Sequence, residues 1–425
     1  MVPLITTIYL AGHLVGAVIA GILADRFGRK PVAVGLVTFA AVSAVSAPYA
    51  PTYSLFVCIR LVTGACCMGL VQTAFVILVE TTGPRWRTHV GMLYHNWFAL
   101  GFAILPGVAY LIRNHVTFQI ASSSLPFLCV SYIFILWESP RWLMSQGRYE
   151  EAYAVLEKMA ARNKGRLPAS LDLQHIHKRS LEEASRQTKG TLVDLFRTPR
   201  LRRRTLIMCL NWFATSLGYY GVSYSAGIMP GGVFLNSFLA AMVQLPANTL
   251  AVWFVLRRGR RHIQIWSLLL AGVFCLVAIP FVLIPSLPRW AITAMAMVGK
   301  LFITTSFAMV YLYAGELYPT VVRTNGVGIC SMCARVGSMM SPQVKHLGEV
   351  WSALPYLLFG AGPLLAGMLS FFLPETKDCK LPETLEEGEQ FPEGFKRLAF
   401  EQVVLAQGEE AALKMNGLEH KDCSI

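Results

Sequence analysis

Three basic residues, Arg60, Lys300 and Arg335, stand inside long apolar stretches of this 425-residue chain, and no Asp or Glu stands as deep in any of them. Charge in an apolar medium is costly and is kept for function or for a specific pair. Three cations without an acid therefore predict an electropositive interior that attracts anions. Lys300 lies about 16 Å along its expected helix, at ~1.5 Å per residue, which is deep enough to reach a central cavity. Arg60, accompanied by Gly64 and Gly69, could be held by backbone carbonyls or by a polar neighbour. Tyr219, Tyr220, Phe307, Tyr311 and Tyr313 offer ring faces suited to stacking on an aromatic organic ion, although such stripes in apolar helices more often serve packing.

Other chemistries find no support. Eight of the ten cysteines lie in apolar stretches, where a thiol behaves as a small hydrophobe. Cys330 and Cys333 have CxxC spacing, yet no second pair or histidine cluster accompanies them, so no metal site is expected. There is no nucleotide-binding glycine loop and no nucleophile–base set, so the chain reads as neither an ATPase nor an enzyme, and no cofactor is implied.

The elements that carry these residues follow from composition. Hydrophobic residues make up 55% of the chain and charged residues 14%, against roughly 25% charged in soluble domains. The mean hydropathy of +0.51 excludes a soluble enzyme or a disordered chain. Runs near the roughly 20 residues needed to cross a bilayer occur at about 3–24, 32–49, 53–79, 89–111, 119–137, 205–228, 232–256, 263–284, 289–314, 325–345 and 353–373. An all-α, polytopic fold of about eleven spans is expected. It divides into an N-terminal bundle (1–137), a loop (138–204), a C-terminal bundle (205–373) and an acidic tail (374–425).

Charge orients it. Of the 37 Lys and Arg residues, 15 fall in 138–204, while one side of the membrane holds only Arg113, Arg289 and Lys345. Basic loops stay in the cytoplasm, so the amino terminus is placed outside and the C-terminus inside. The formal charge of +13 is then a topology signal, and no nucleic-acid partner is expected. The loop 138–204 reads as partly helical around 149–159, with a basic face suited to anionic headgroups or to solvent.

Between the first two spans stands Gly21-Ile22-Leu23-Ala24-Asp25-Arg26-Phe27-Gly28-Arg29-Lys30. Gly21 permits close helix contact, Asp25 can meet a facing helix N-terminus or an Arg, and Gly28 allows a reversal before the basic anchor. This ten-residue pattern resembles the signature of the major facilitator superfamily. A degenerate copy, Leu256-Arg257-Arg258-Gly259-Arg260-Arg261, has leucine where the acid belongs, so a weakened second latch is expected.

Further segments resemble solute carrier family 22, the organic-ion branch. They are Glu138-Ser139-Pro140-Arg141-Trp142-Leu143, Thr198-Pro199-Arg200 with Asn211-Trp212-Phe213 and Tyr219-Tyr220-Gly221, Gly315-Glu316-Leu317-Tyr318-Pro319-Thr320 with Val322-Arg323, and Leu373-Pro374-Glu375-Thr376. The resemblance implies transport of small organic ions by alternating access, most simply at the plasma membrane. It places Arg335 where organic-anion carriers have arginine and cation carriers tend to have aspartate. Gln244-Leu245-Pro246-Ala247-Asn248 departs from it, with Asn248 where several anion carriers have lysine and Gln244 where many members have an acid.

The implied substrate-binding residues are Arg335, Lys300, Tyr219, Tyr220 and Tyr313. The implied conformational latch comprises Asp25, Arg26, Gly28, Arg29, Lys30, Arg60, Glu138, Arg141, Glu316 and Arg323. Since the ten-residue pattern belongs after the family's second helix, the resemblance also implies that the first helix and the large extracellular loop are absent, and that this form transports poorly. A non-transporting receptor, scaffold or regulatory partner, and an organic-cation or zwitterion carrier, are the competing readings.

Overall fold

The computed structural model describes residues 2–165, 167, 172–186, 190–377, 379 and 381–391. Among these, every regular element is helical. The order begins α1 (Val2–Phe27), α2 (Arg29–Ser46), α3 (Tyr53–Thr81), α4 (Pro84–Leu111), α5 (His115–Leu128) and α6 (Tyr132–Ile135). The loop region forms α7 (Pro140–Ser145), α8 (Tyr149–Arg162), α9 (Leu173–Arg186) and α10 (Asp194–Arg197). The second group is α11 (Pro199–Tyr224), α12 (Val233–Met242), α13 (Gln244–Arg257), α14 (Arg260–Leu283), α15 (Trp290–Leu317), α16 (Arg323–Leu347) and α17 (Leu354–Leu369), followed by α18 (Leu385–Gln390).

Eight helical segments of the described chain are long and apolar enough to span a membrane. Of the eleven expected runs, 119–137 is broken, since the 14-residue α5 ends beside Pro126 and passes into a 3-10 turn. The runs 205–228 and 325–345 are helical in α11 and α16 but too polar to join the eight. The run at 232–256 is one of the eight, Val233–Val255, and Val243 at the junction of α12 and α13 keeps helical backbone angles (φ −61°, ψ −24°).

Within the first group α1 packs on α3, and α2 on α3 and α5. Small residues make the first of these contacts possible. A Cβ on Gly16 would lie 2.0 Å from the Ala65 carbonyl oxygen, and one on Gly64 would lie 2.2 Å from the Tyr9 oxygen, so the backbones touch. Gly21 was expected to serve this purpose, but no neighbour lies within 4 Å of its Cβ position. It faces away from α3, while Gly12 and Gly16 occupy the buried stripe.

In the second group α11 packs on α16, α17 and α15, and α14 on α15 and α17. Its largest core joins Leu201, Met208, Trp212, Tyr313, Leu317, Tyr318 and Cys330. The two groups meet through α1 against α16 and through α4 against α12 and α13. Thr7 on α1 donates to the Met339 carbonyl (3.2 Å) and accepts from Gln343 (3.1 Å), while Asn248 donates to Asn96 (3.0 Å).

The loop helices have a small core of Trp142, Leu143, Ala152 and Leu173, and α8 covers the span expected to be helical. Trp142 donates its indole N–H to the Asp25 carbonyl at 2.9 Å, which seats this unit on the turn between α1 and α2. The segment 381–391 seats on the second group. Glu389 accepts from the backbone N–H groups of Arg200 (2.8 Å) and Leu201 (3.0 Å), capping α11, while Arg204 donates to the carbonyls of Gly388 and Phe391. Most of the acidic tail, 392–425, lies outside the described residues.

Candidate functional site

Two layers hold the residues singled out from the sequence. The first is at the end of the bundle where α1 turns into α2. Gly28 has φ +104°, which favours glycine, and a Cβ there would meet the Glu138 carboxylate at 2.5 Å. Glu138 uses that space to accept from the N–H groups of Arg29 (3.0 Å) and Lys30 (3.1 Å), capping α2. A cap of this kind is worth about 0.5–2 kcal/mol. Arg29 reaches Asp25 at 2.9 Å, Glu80 at 3.4 Å and the Ala24 carbonyl at 2.9 Å. The Asp25 side chain is 75% exposed, so that pair contributes at most about 1 kcal/mol.

The second group repeats the device. A Cβ on Gly259 would meet the Glu375 carboxylate at 2.1 Å, and Glu375 accepts from the Arg260 N–H at 2.8 Å. Arg260 pairs with Glu316 at 3.1 Å and reaches the Val255 carbonyl at 3.4 Å. The expectation of a weakened second latch is corrected here. Leu256 replaces only the counterpart of the exposed Asp25, while the capping and pairing acids are supplied by Glu375 and Glu316, far away in sequence.

Of the remaining latch residues, Arg323 donates to the Tyr318 carbonyl and the Thr320 hydroxyl, each at 3.2 Å, and closes the turn into α16. Arg26 lies over the Phe27 ring at 5.4 Å, and Arg141 is exposed. Arg60 does not join this layer. It is seven residues from the start of α3, at the opposite end, with its guanidinium over Tyr9 (5.8 Å) and Phe56 (5.7 Å).

The second layer lies between the groups. Arg335 on α16 is 7% exposed, its Nε has no hydrogen-bond partner, and it exerts its charge on Tyr220 of α11 and His13 of α1. The Nε2 of His13 and the Nε of Arg60 are likewise buried without a partner. Tyr9 links them, with its ring 4.7 Å from that of His13.

Lys300 is fully buried and donates to the Ser223 hydroxyl, with its ammonium 4.6 Å from the Tyr219 ring and 5.7 Å from Phe102. None of the three cations has a carboxylate partner among the described residues. An aromatic ladder starts at the ring beside Lys300: Tyr219 lies 5.2 Å from both Tyr220 and Phe307, Phe307 lies 6.0 Å from Tyr311, and Tyr220 lies 6.1 Å from Tyr224.

Tyr313 is placed elsewhere. Its hydroxyl donates to the Pro374 carbonyl at 2.5 Å, in the core beside the second latch. Sequence reasoning did not single out His13, Tyr9, Ser223 or Phe102. A lone histidine or serine in an apolar helix carries no spacing signal, and only the packing of α1 on α3 and α16, of α11 on α15, and the approach of Phe102 to Lys300 bring these residues near the cations. Among the described residues no group of His, Cys, Asp and Glu fits a metal ion.

The family model described as "Sugar (and other) transporter" matches residues 2–387. The "Organic cation transporter protein" of Drosophila melanogaster is 37% identical over 390 residues, covering 91% of this chain and 71% of that protein. Human "Solute carrier family 22 member 13" is 34% identical, covering 91% of this chain and 68% of the relative. "Solute carrier family 22 member 6-A" of Xenopus laevis is 35% identical, covering 90% and 69%.

The inward-open structure of the xylose transporter XylE from E. coli superposes with a TM-score of 0.71 at 19% identity, covering 91% of this chain and 88% of that one, which shows the shared fold. An all-helical, multi-pass architecture, two equivalent glycine-and-glutamate latches and similarity across nine-tenths of the chain lead to one conclusion: this protein belongs to solute carrier family 22, a branch of the sugar-transporter group of the major facilitator superfamily.

Proposed function

We propose that this chain carries small organic anions across a membrane by alternating access, binding them between its two helical groups. The observation that carries the reading is the pair of buried cations, Arg335 and Lys300, with the half-buried Arg60, and no carboxylate among the described residues to neutralise them. A unit charge about 4 Å from its partner is worth about 4 kcal/mol at an effective dielectric near 20, enough to select the sign of a substrate. Tyr219 and Tyr220 supply ring faces for an apolar or aromatic body, and the unpartnered Arg335 Nε supplies a donor.

The latch end faces the cytoplasm in this reading, because the basic loops lie there. The groups are joined by Thr7–Gln343 toward the opposite end, which is the outward side in this reading. The bundles are 1–137 and 205–373, linked by the cytoplasmic loop 138–204, and the plasma membrane is the proposed location.

A second reading has its own support: relatives such as the Drosophila protein are named as organic cation transporters. Uptake of labelled organic anions and of tetraethylammonium, measured beside surface labelling, decides between them. Saturable anion uptake supports the first reading. Uptake of the cation alone overturns it, and uptake of neither by surface-exposed protein favours a non-transporting role.

A further inference from the structure

Lys300 has an environment that a substrate-contacting lysine does not need. Its ammonium is fully buried, hydrogen-bonded to Ser223 of α11, and set between the rings of Tyr219 (4.6 Å) and Phe102 (5.7 Å). Phe102 belongs to α4 and Tyr219 to α11, so the rings come from the two different groups. Within about 6 Å of a ring centroid, a cation is attracted by the negative face of the ring, and aromatic cages of this kind receive alkylammonium ligands. The hydroxyl of Tyr219 donates to the amide oxygen of Gln244 at 2.5 Å. That amide adds no charge. This cage is built for an ammonium and is already filled by one from the chain itself.

We infer that Lys300 is a specificity residue that acts as a tethered occupant of an aromatic ammonium site, excluding organic cations from the space between the groups. The inference rests on the organic-ion reading above, and it assigns Lys300 a blocking role in addition to its contribution to the positive field. It accounts for an aromatic cage with no carboxylate beside it among the described residues.

Removing the occupant tests this directly. Lys300→Ala leaves a space with the dimensions of a butylammonium chain, still lined by Tyr219, Phe102 and Ser223. Purified Lys300→Ala protein is expected to bind n-butylammonium and tetramethylammonium saturably, at least tenfold more tightly than wild type. Lys300→Arg, which refills the cage with a cation, is expected to show no gain. Adding Tyr219→Leu to Lys300→Ala is expected to abolish it. A gain of cation binding is a readout that mere damage to the fold does not produce.

If Lys300→Ala melts near the wild-type temperature and binds neither alkylammonium, the inference is overturned. Equal binding by the wild type overturns it as well. Should Lys300→Ala fail to fold, Lys300→Ser, which also vacates the cage but keeps a hydroxyl on α15, replaces it; a rise in tetramethylammonium binding then supports the inference and an unchanged isotherm overturns it. Anion uptake by the wild type is measured separately, so that its absence defeats the proposed function, while anion uptake without a cation gain in these variants defeats only the cage.

Discussion

A guanidinium Nε buried without a partner costs about 1–3 kcal/mol, and Arg335 bears that cost at 7% exposure. In the proposed function, that group gains its partner when an anionic substrate binds. Arg335→Ala is therefore expected to lower anion uptake by at least tenfold with surface expression unchanged, as read by uptake beside surface labelling. Arg335→Lys keeps the charge but loses the planar fork of donors, and should fall between the two. Tyr313 supplies the contrast. Its hydroxyl is committed to the Pro374 carbonyl, so Tyr313→Phe should lower the melting temperature by the equivalent of about 1 kcal/mol and leave the KM for substrate unchanged. A raised KM would return Tyr313 to the binding site.

At the scale of elements, the two latches tie helix N-termini to distant carboxylates. Glu138 caps α2 and Glu375 caps α14, each passing over a glycine that leaves room for it. Glu138→Gln keeps the shape but loses the charge at the helix N-terminus. We expect turnover to fall several-fold with little change in KM, and Asp25→Asn, at an exposed pair, to act in the same direction more weakly. Equal loss of affinity and turnover would place these residues in the site.

The tail segment adds a pH-dependent contact. Burial alone would raise the Glu389 carboxyl, but hydrogen bonds from Thr198, Arg200 and Leu201, with Arg204 nearby, hold it below its ordinary value of 4.5. Its folded pKa is depressed, so the stability it contributes is present above pH 4.5 and is lost as pH falls through the folded value. Hydrogen exchange at the Arg200 and Leu201 amides, corrected for intrinsic rates, should stay protected from pH 7 to 5 and lose protection below about 4.5. Glu389→Gln should flatten that dependence.

Across the whole molecule, the groups are held together away from the latch end by Thr7 on α1 and Gln343 on α16, which share a hydrogen bond of 3.1 Å. Alternating access requires this contact to open. A Thr7→Cys and Gln343→Cys pair, oxidised to a disulfide, should abolish uptake, and reduction should restore it. Uptake that persists with the cross-link fully formed would show that α1 and α16 do not separate during the cycle.

The sequence alone determined the membrane-spanning helical class, the reversal at Gly28 with its basic anchor, and the excess of basic over acidic residues within the apolar runs. Each rests on local information: hydropathy over some 20 residues, one glycine with positive φ, and a count of charges in apolar runs. Tertiary structure decided the rest. It set Gly16 and not Gly21 against α3, moved Arg60 from the latch to the ring of Tyr9, withdrew Tyr313 into the core, and broke the fifth run after α5. It also completed the second latch with Glu316 and Glu375 despite Leu256. These outcomes depend on which face of each helix meets a neighbour far away in sequence, as Arg260 meets Glu375, 115 residues away, and hydropathy, being nearly uniform around a membrane helix, does not encode that rotation.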